Sequence, residues 1–423
     1  MITFDPSEYI RGLQQLLISD KKKIGFLCGA GTSLSKKNRQ TVIVPAVGEM
    51  TKSIVSDLCN EDKYKNATME IRQEIIKRNG ESGFHIESLL SNVEEKREII
   101  GNGTLNNLVE KDFVELSQKI QNLIHDLVSV HNNFTNEDYK NMVHNDFACW
   151  IAQAERKNAI EIFTTNYDYL FEMGLEHNDV PYYDGFTGSY EPFFDSNSID
   201  SFNYLPQQTK LWKIHGSLGW SIGENGKIIR KSPAGKSNSE NKDILIYPSI
   251  TKYEHSKKMP YTALLDRLCN FLKQEDTVLF VCGYSFGDDH INERILSGLR
   301  NGMTSHVFVL FYDKAWENNQ PIYTLTEESK MAQIALKNPR ISVFGCRNAI
   351  IGGKYGEWQL KREPDMDNDI NISLYFDEDA PENIKMPLKE EQKGNEVWTG
   401  KGNLKLTDFS KLVFFLQSMM VHN

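Results

Sequence analysis

His215 follows the apolar run Leu211–Ile214 and precedes Gly216. A histidine between a strand and a glycine is exposed at a sheet edge, and imidazole is the natural general base near neutral pH. In Phe163-Thr164-Thr165-Asn166-Tyr167-Asp168, an amide and a carboxylate two residues apart follow a second apolar run, Ala159–Phe163. That pairing suits recognition of a carboxamide and a ribose. Gly29-Ala30-Gly31-Thr32-Ser33 closes a third run, Ile24–Cys28. Glycine there lets the backbone turn sharply and approach a phosphate, and the exposed amides can cradle a pyrophosphate. Cys282-Gly283-Tyr284-Ser285-Phe286-Gly287-Asp288-Asp289-His290 closes a fourth, Val278–Val281, and places Gly283 and Ser285 where they can close over a ribose or phosphate.

Each motif has a plainer explanation. Thr165, Asn166 and Asp168 are helix-capping types, and a lone histidine is most often a satisfied structural one. Asp288-Asp289-His290 reads better as a helix start, where the dipole favours acidic residues, than as a metal site. The Gly29 loop lacks the third glycine of the ordinary dinucleotide fingerprint, because Leu34 stands there. No acidic strand end follows about 20 residues later, so the common dehydrogenase arrangement is disfavoured.

The elements that must position these groups alternate. Strands are predicted over Ala159–Phe163, Leu211–Ile214, Ile244–Tyr247, Thr277–Cys282 and His306–Phe311, with helices over Tyr167–Glu176, Tyr261–Lys273 and His290–Leu299. Such alternation signals an α/β fold, a doubly wound, mostly parallel sheet in which ligands bind at the carboxyl ends of the strands. Asp5-Pro6 starts a helix, and a second follows Pro45. Residues 60–158 look almost wholly helical and form an insertion. Ser232–Asn241 reads as a polar loop. After about Gly352 the character changes. Ile370, Ile372, Leu374 and Phe376 alternate like a half-buried strand, and Leu404–Val421 is a helix with little polar face, buried in its own domain or against another subunit.

The 423 residues carry a net charge of −10, which argues against direct nucleic-acid binding or attachment to anionic membranes. No apolar run approaches the ~18–20 residues needed to span a bilayer, and no signal peptide opens the chain, so a cytoplasmic protein is expected. The six cysteines (Cys28, Cys59, Cys149, Cys269, Cys282 and Cys346) form no CxxC pair, so neither a zinc site nor a disulfide framework is expected.

Taken in order, the four motifs resemble the sirtuin family. Gly29-Ala30-Gly31-Thr32-Ser33 is similar to its GAG-x-S loop, and Thr164–Asp168 to its TQNID segment, with Thr165 for Gln and Tyr167 for Ile. His215-Gly216-Ser217 is similar to the HGS that carries the catalytic histidine, and Gly283-Tyr284-Ser285 to the later segment that meets the adenosine half of NAD. The resemblance implies a Rossmann-like sheet of sirtuin type over residues 1–345, with a small β-containing appendage, 346–423, as a possible assembly or partner region. Leu218–Asn241 holds no cysteine where the family's deacylases carry a zinc module, so no metal is expected. Zinc-less relatives resemble NAD-hydrolysing effectors of bacterial antiphage systems: the Thoeris effector, defence-associated sirtuins and sirtuin-like partners of HerA-type ATPases. The resemblance therefore implies an NAD glycohydrolase, with NAD as substrate, acting in a homo-oligomer or beside a HerA-type ATPase. By this carry-over Asn166, His215 and Asp168 are catalytic: Asn166 positions water or the carboxamide, His215 draws a proton from a ribose hydroxyl or the water, and Asp168 holds the carboxamide. Gly29, Ala30, Gly31, Ser33, Thr165, Gly283 and Ser285 bind the dinucleotide. An ADP-ribosyltransferase or deacylase on the same site, and a non-catalytic sensor of NAD or ADP-ribose, are the rival readings.

Overall fold

The computed structural model describes residues 2–154, 156–223, 227–231, 243–245, 260–363, 365, 369–379 and 398–420. Among them, ten strands form the main sheet: β1 Thr3–Phe4, β2 Lys23–Cys28, β3 Glu161–Thr164, β4 Tyr182–Tyr183, β5 Thr209–Lys213, β6 Thr277–Cys282, β7 His306–Phe311, β8 Ile341–Gly345, β9 Asn348–Ile351 and β10 Lys354–Trp358. Their order is β1-β10-β9-β8-β7-β6-β2-β3-β5-β4. All neighbours are parallel except β8–β9 and β9–β10. The fold is thus the mixed α/β, mostly parallel sheet anticipated from the alternation.

Central strands read as unbroken apolar runs because both faces are covered. Along β6, Val278, Phe280 and Cys282 join one core and Leu279 and Val281 the other. In β2, Phe26 and Leu27 divide the same way. The first core takes helices α1 (Pro6–Ile18) and α7 (Val143–Gln153) through Ile10, Leu13, Phe147 and Trp150. The second takes α9 (Tyr261–Lys273) and α10 (Asp289–Asn301) through Leu264, Leu268, Ile291 and Ile295. Between β2 and α7 lie the short α2 (Ala30–Leu34) and the longer α3 (Val47–Cys59), α4 (Asp62–Asn79), α5 (Ile86–Ile99) and α6 (Glu110–Val128). These last four build a third core of their own, which also takes in Leu170, at the start of the helix Leu170–His177, and Leu218, on the strand Gly216–Ile222. The helical layer therefore begins at Val47, earlier than its sequence pattern suggested, because α3 packs with it.

The described residues beyond 346 are woven into the main body. Strands β9 and β10 extend the sheet through the turn Gly352-Gly353, whose φ values of +59° and +73° suit a two-residue hairpin. The half-buried strand anticipated over Ile370–Phe376 is shorter. Asn371 accepts from the amide of Ser373 and caps a 3-10 turn over Ile372–Leu374, and only Phe376–Glu378 pairs, with Gly402–Leu404. The closing helix, α11 (Phe409–Ser418), starts at Asp408 rather than Leu404 and buries Phe409, Leu412, Val413, Phe415 and Leu416 in the first core. These five side chains are thus covered by the helix's own chain, while Phe414 is exposed. Ser232–Asn241 and Tyr247 lie outside the described residues; Asp243–Leu245, before the latter, is a strand.

Candidate active site

Register places the four motifs in one row. Cys282 pairs with Cys28, Cys28 with Thr164, and Thr164 with Lys213. Four neighbouring strands, β6, β2, β3 and β5, therefore end level, and the residues that follow each end stand side by side at the carboxyl edge. Gly283 and Ser285, Gly29 to Ser33, Thr165 to Asp168, and His215 all lie within six residues of that row.

The glycines are needed where two loops close on each other. The amide of Gly29 donates to the Cys282 carbonyl and that of Gly31 to the Gly283 carbonyl, both at 2.9 Å. A Cβ on Gly29 would lie 2.5 Å from the Gly283 oxygen, and one on Gly283 would lie 2.6 Å from the Thr32 nitrogen. Gly283 also has φ +62°, a backbone that favours glycine. Gly29 caps α2, while Ala30 and Ser285 are exposed at the mouth of the row.

Asn166 joins the two central loops. Its Nδ2 lies 2.7 Å from Ser33 Oγ and 3.1 Å from both the Gly29 carbonyl and Thr32 Oγ1. Its own amide donates to Thr164 Oγ1. Ser33 Oγ donates to Asp168 Oδ2 at 2.7 Å, and Asp168 Oδ1 accepts from the Leu170 amide at the start of α8 (Leu170–His177). Asp168 therefore holds Ser33 and the first amide of that helix at once; both side chains are almost fully buried. Thr165 is half-buried and donates its amide to the Cys28 carbonyl.

Beneath this loop lies a buried cation that the motifs did not reveal. Lys213 Nζ donates to the Asp168 carbonyl and, at 2.9 Å, to Glu172 Oε1. Burial pushes the Glu172 carboxyl above its usual range despite the pull of Lys213. The pair pins loop 165–169 from below.

His215 sits between β5 and Gly216–Ile222, a strand of a second, antiparallel sheet. Gly216 takes φ +88°, which permits the turn from one sheet to the other. The His215 Nε2 lies 3.1 Å from Asp288 Oδ2, and both side chains are largely buried. Asp288 came from the cluster read as a helix start, and it is one: its Oδ1 accepts from the His290 amide. Its neighbour Asp289 pairs with Lys330 at 2.6 Å. Among the described residues no group of three His, Cys, Asp or Glu side chains is arranged to hold a metal ion.

The row thus gathers Asn166, Ser33, Gly29 and Asp168 into one hydrogen-bonded cluster. Gly31 and Gly283 are packed against each other, and His215 lies on the adjacent strand end with an acidic partner. Thr32 and Lys213 were missed. Thr32 carried a signal, as a hydroxyl inside the glycine loop, and Lys213 another, as a cation inside an apolar strand. An amide, hydroxyls, an imidazole and close-approach glycines are the donor set that a dinucleotide bearing a carboxamide calls for.

Residues 160–338 match the family profile of the SIR2-like domain. The match covers the Asn166, His215 and Gly283 motifs and starts after the Gly29 loop. It supports a sirtuin-like family and NAD-dependent activity in general, on a sheet consistent with the Rossmann-like SIR2 fold. No curated protein matches the chain.

Proposed function

We propose that this chain hydrolyses NAD at the nicotinamide–ribose bond, releasing nicotinamide and ADP-ribose. The observation that carries the reading is the placement of an amide and an imidazole, Asn166 and His215, each two residues beyond a paired strand end, Thr164 and Lys213. A sensor needs no base, whereas hydrolysis does.

The pyridinium nitrogen keeps the bonding pair and leaves as neutral nicotinamide, so no acid is needed on that side. Water supplies the oxygen that bonds the anomeric carbon, and its proton passes to His215. A positioned base contributes typically ~10²–10⁴-fold. Asn166 orients that water. Asp168 exchanges its Ser33 hydrogen bond for the carboxamide. Gly29, Ala30, Gly31 and Ser33 face the pyrophosphate, while Thr165, Gly283 and Ser285 line the nucleotide. The helical layer, whose core packs against Tyr167 and Tyr169, walls the loop and excludes bulk water.

Purified protein incubated with NAD, without any acceptor, should release nicotinamide and ADP-ribose in equal amounts. Release that requires an acyl-lysine or another acceptor would replace hydrolysis by transfer, and binding without turnover would leave a sensor. Action as an antiphage effector that depletes NAD is supported by the resemblance alone; a fall in cellular NAD on phage challenge, absent in a His215→Ala strain, tests it. Homo-oligomerisation and a HerA-type ATPase partner have the same footing, and light scattering with and without such a partner tests them.

A further inference from the structure

Helix α2 is five residues long, far below the ~12–15 that an isolated helix needs in water. Its position is therefore set by what holds its two ends. At the front, the Gly31 amide donates to the Gly283 carbonyl, and Asn166 Nδ2 reaches Thr32 and Ser33. At the back, the chain leaves through Ser35 into Lys36–Gln40, all of them exposed.

Ser35 is held by the far end of the chain. Its Oγ donates to Asp408 Oδ1 and accepts from the Ser410 amide, both at 2.8 Å. Asp408 is the cap of α11, and the same Oδ1 accepts from the Ser410 amide and from Ser410 Oγ, also at 2.8 Å. The cap of the closing helix and the back of α2 thus share one hydrogen-bonded cluster across 373 positions of sequence.

The closing helix has firm holds of its own. The Leu404 amide donates to the Cys346 carbonyl at 2.8 Å, and Thr407 Oγ1 lies 3.2 Å from Cys346 Sγ. Cys346 follows β8, so residues 404–408 lead from the carboxyl end of β8 to the back of α2, which follows β2, three places along the sheet. Phe409, the first residue of α11, meets His144, Phe147 and Phe171 at centroid distances of 5.5, 5.6 and 6.4 Å. Phe171 belongs to α8, whose first amide Asp168 holds. The start of α11 therefore touches the elements on both sides of the Ser33–Asp168 bond.

We infer that Ser35 and Asp408 are positioning residues for the dinucleotide: through them α11 fixes α2, and with it Gly29–Ser33, so that NAD binding and the docking of α11 stabilise each other. Such coupling is reciprocal: what α11 contributes to NAD affinity, NAD returns as protection of α11. The inference rests on the reading of Gly29–Ser33 as the pyrophosphate loop. Both residues act through α2.

Ser35→Ala cuts the link and leaves Asp408 as the cap of α11, so melting temperature should stay close to the parent's. Loss of one hydrogen bond to a half-buried carboxylate is felt as roughly 5–10-fold in an equilibrium. By calorimetry NAD should bind Ser35→Ala weaker by about that factor, and hydrogen exchange of the amides of residues 31–35 should quicken similarly even without NAD. In the parent, saturating NAD should slow exchange of the Leu412–Leu416 amides roughly 5–10-fold more than those of α4, which reports any gain of the whole fold. In Ser35→Ala that excess should vanish. Asp408→Asn keeps an oxygen for Ser35 and a cap for α11, and should behave as the parent in all three measurements. Equal protection of α11 and α4 in the parent overturns the inference, as does an excess that survives in Ser35→Ala. If the parent binds NAD but releases no nicotinamide, the hydrolase reading fails while the coupling stands. If the parent binds no NAD, exchange of residues 31–35 decides: an unchanged rate in Ser35→Ala overturns the hold of α11 on α2, and a faster one upholds it.

Discussion

Replacing Gly283 with alanine should open the seam between the two nucleotide loops. The new methyl would sit 2.6 Å from the Thr32 nitrogen and 2.8 Å from two Gly31 backbone atoms. Backbone cannot swing aside as a side chain can, so the loops must part by roughly 0.8 Å or more to reach ordinary contact. The two cross-loop hydrogen bonds, both 2.9 Å, would then stretch beyond bonding range. Their loss costs about 1 kcal/mol each, and the left-handed backbone about 1–2 kcal/mol more, so the sum is on the order of 3–4 kcal/mol. Gly352→Ala is the control: its φ is +59°, yet nothing lies within 4 Å of the added Cβ. It carries only the backbone cost, about 1–2 kcal/mol. Thermal melting and calorimetric titration with NAD should therefore diverge. Gly283→Ala should melt below Gly352→Ala and bind NAD at least ~10-fold more weakly, since about 1.4 kcal/mol is a factor of ten. Gly352→Ala should bind like the parent. If the two variants match in both measurements, the loops are not closed on each other as described.

Asn166→Ala should abolish nicotinamide release while calorimetry still detects NAD. It should also destabilise the protein by about 1–3 kcal/mol, because Ser33, Thr32 and the Gly29 carbonyl lose a shared buried donor. Arg267→Met should lower stability by about 3–5 kcal/mol. It leaves Glu161 buried without the bidentate partner now at 2.6 and 2.9 Å, and adding Glu161→Gln should recover part of the loss in denaturant titrations. His144, buried against Phe171 and Phe409, has its pKa lowered by desolvation to about 4. Between that value and the ordinary 6.5 the unfolded chain binds a proton that the folded chain refuses. Stability should thus be complete above pH 6.5 and fall on acidification towards pH 4, by on the order of 3 kcal/mol from this residue. His144→Phe should flatten that slope, and an unchanged slope would assign the acid loss to other groups.

The sheet was legible because its strands are covered on both faces. The runs Thr277–Cys282 and His306–Phe311, and the amphipathic helix Tyr261–Lys273, occupy the residues their patterns mark out. The candidate site was legible for a related reason: glycines, amides and an imidazole placed just after an apolar run must emerge at a strand's carboxyl end, and local sequence shows where a run stops. Local sequence carries no information about which strands are neighbours or how their ends align. The row Cys282, Cys28, Thr164 and Lys213 is a fact of register. Asp168 committed to Ser33, Lys213 set beneath the Asn166 loop, and the five buried side chains of α11 packed into the first core are contacts between residues far apart in sequence. Asp288 shows the division within one side chain. Its capping oxygen belongs to a helix start readable over three residues, while the oxygen that meets His215 spans 73 positions. Nothing in local periodicity encodes that pairing, because it exists only once the sheet has brought β5 and the loop after β6 to the same edge.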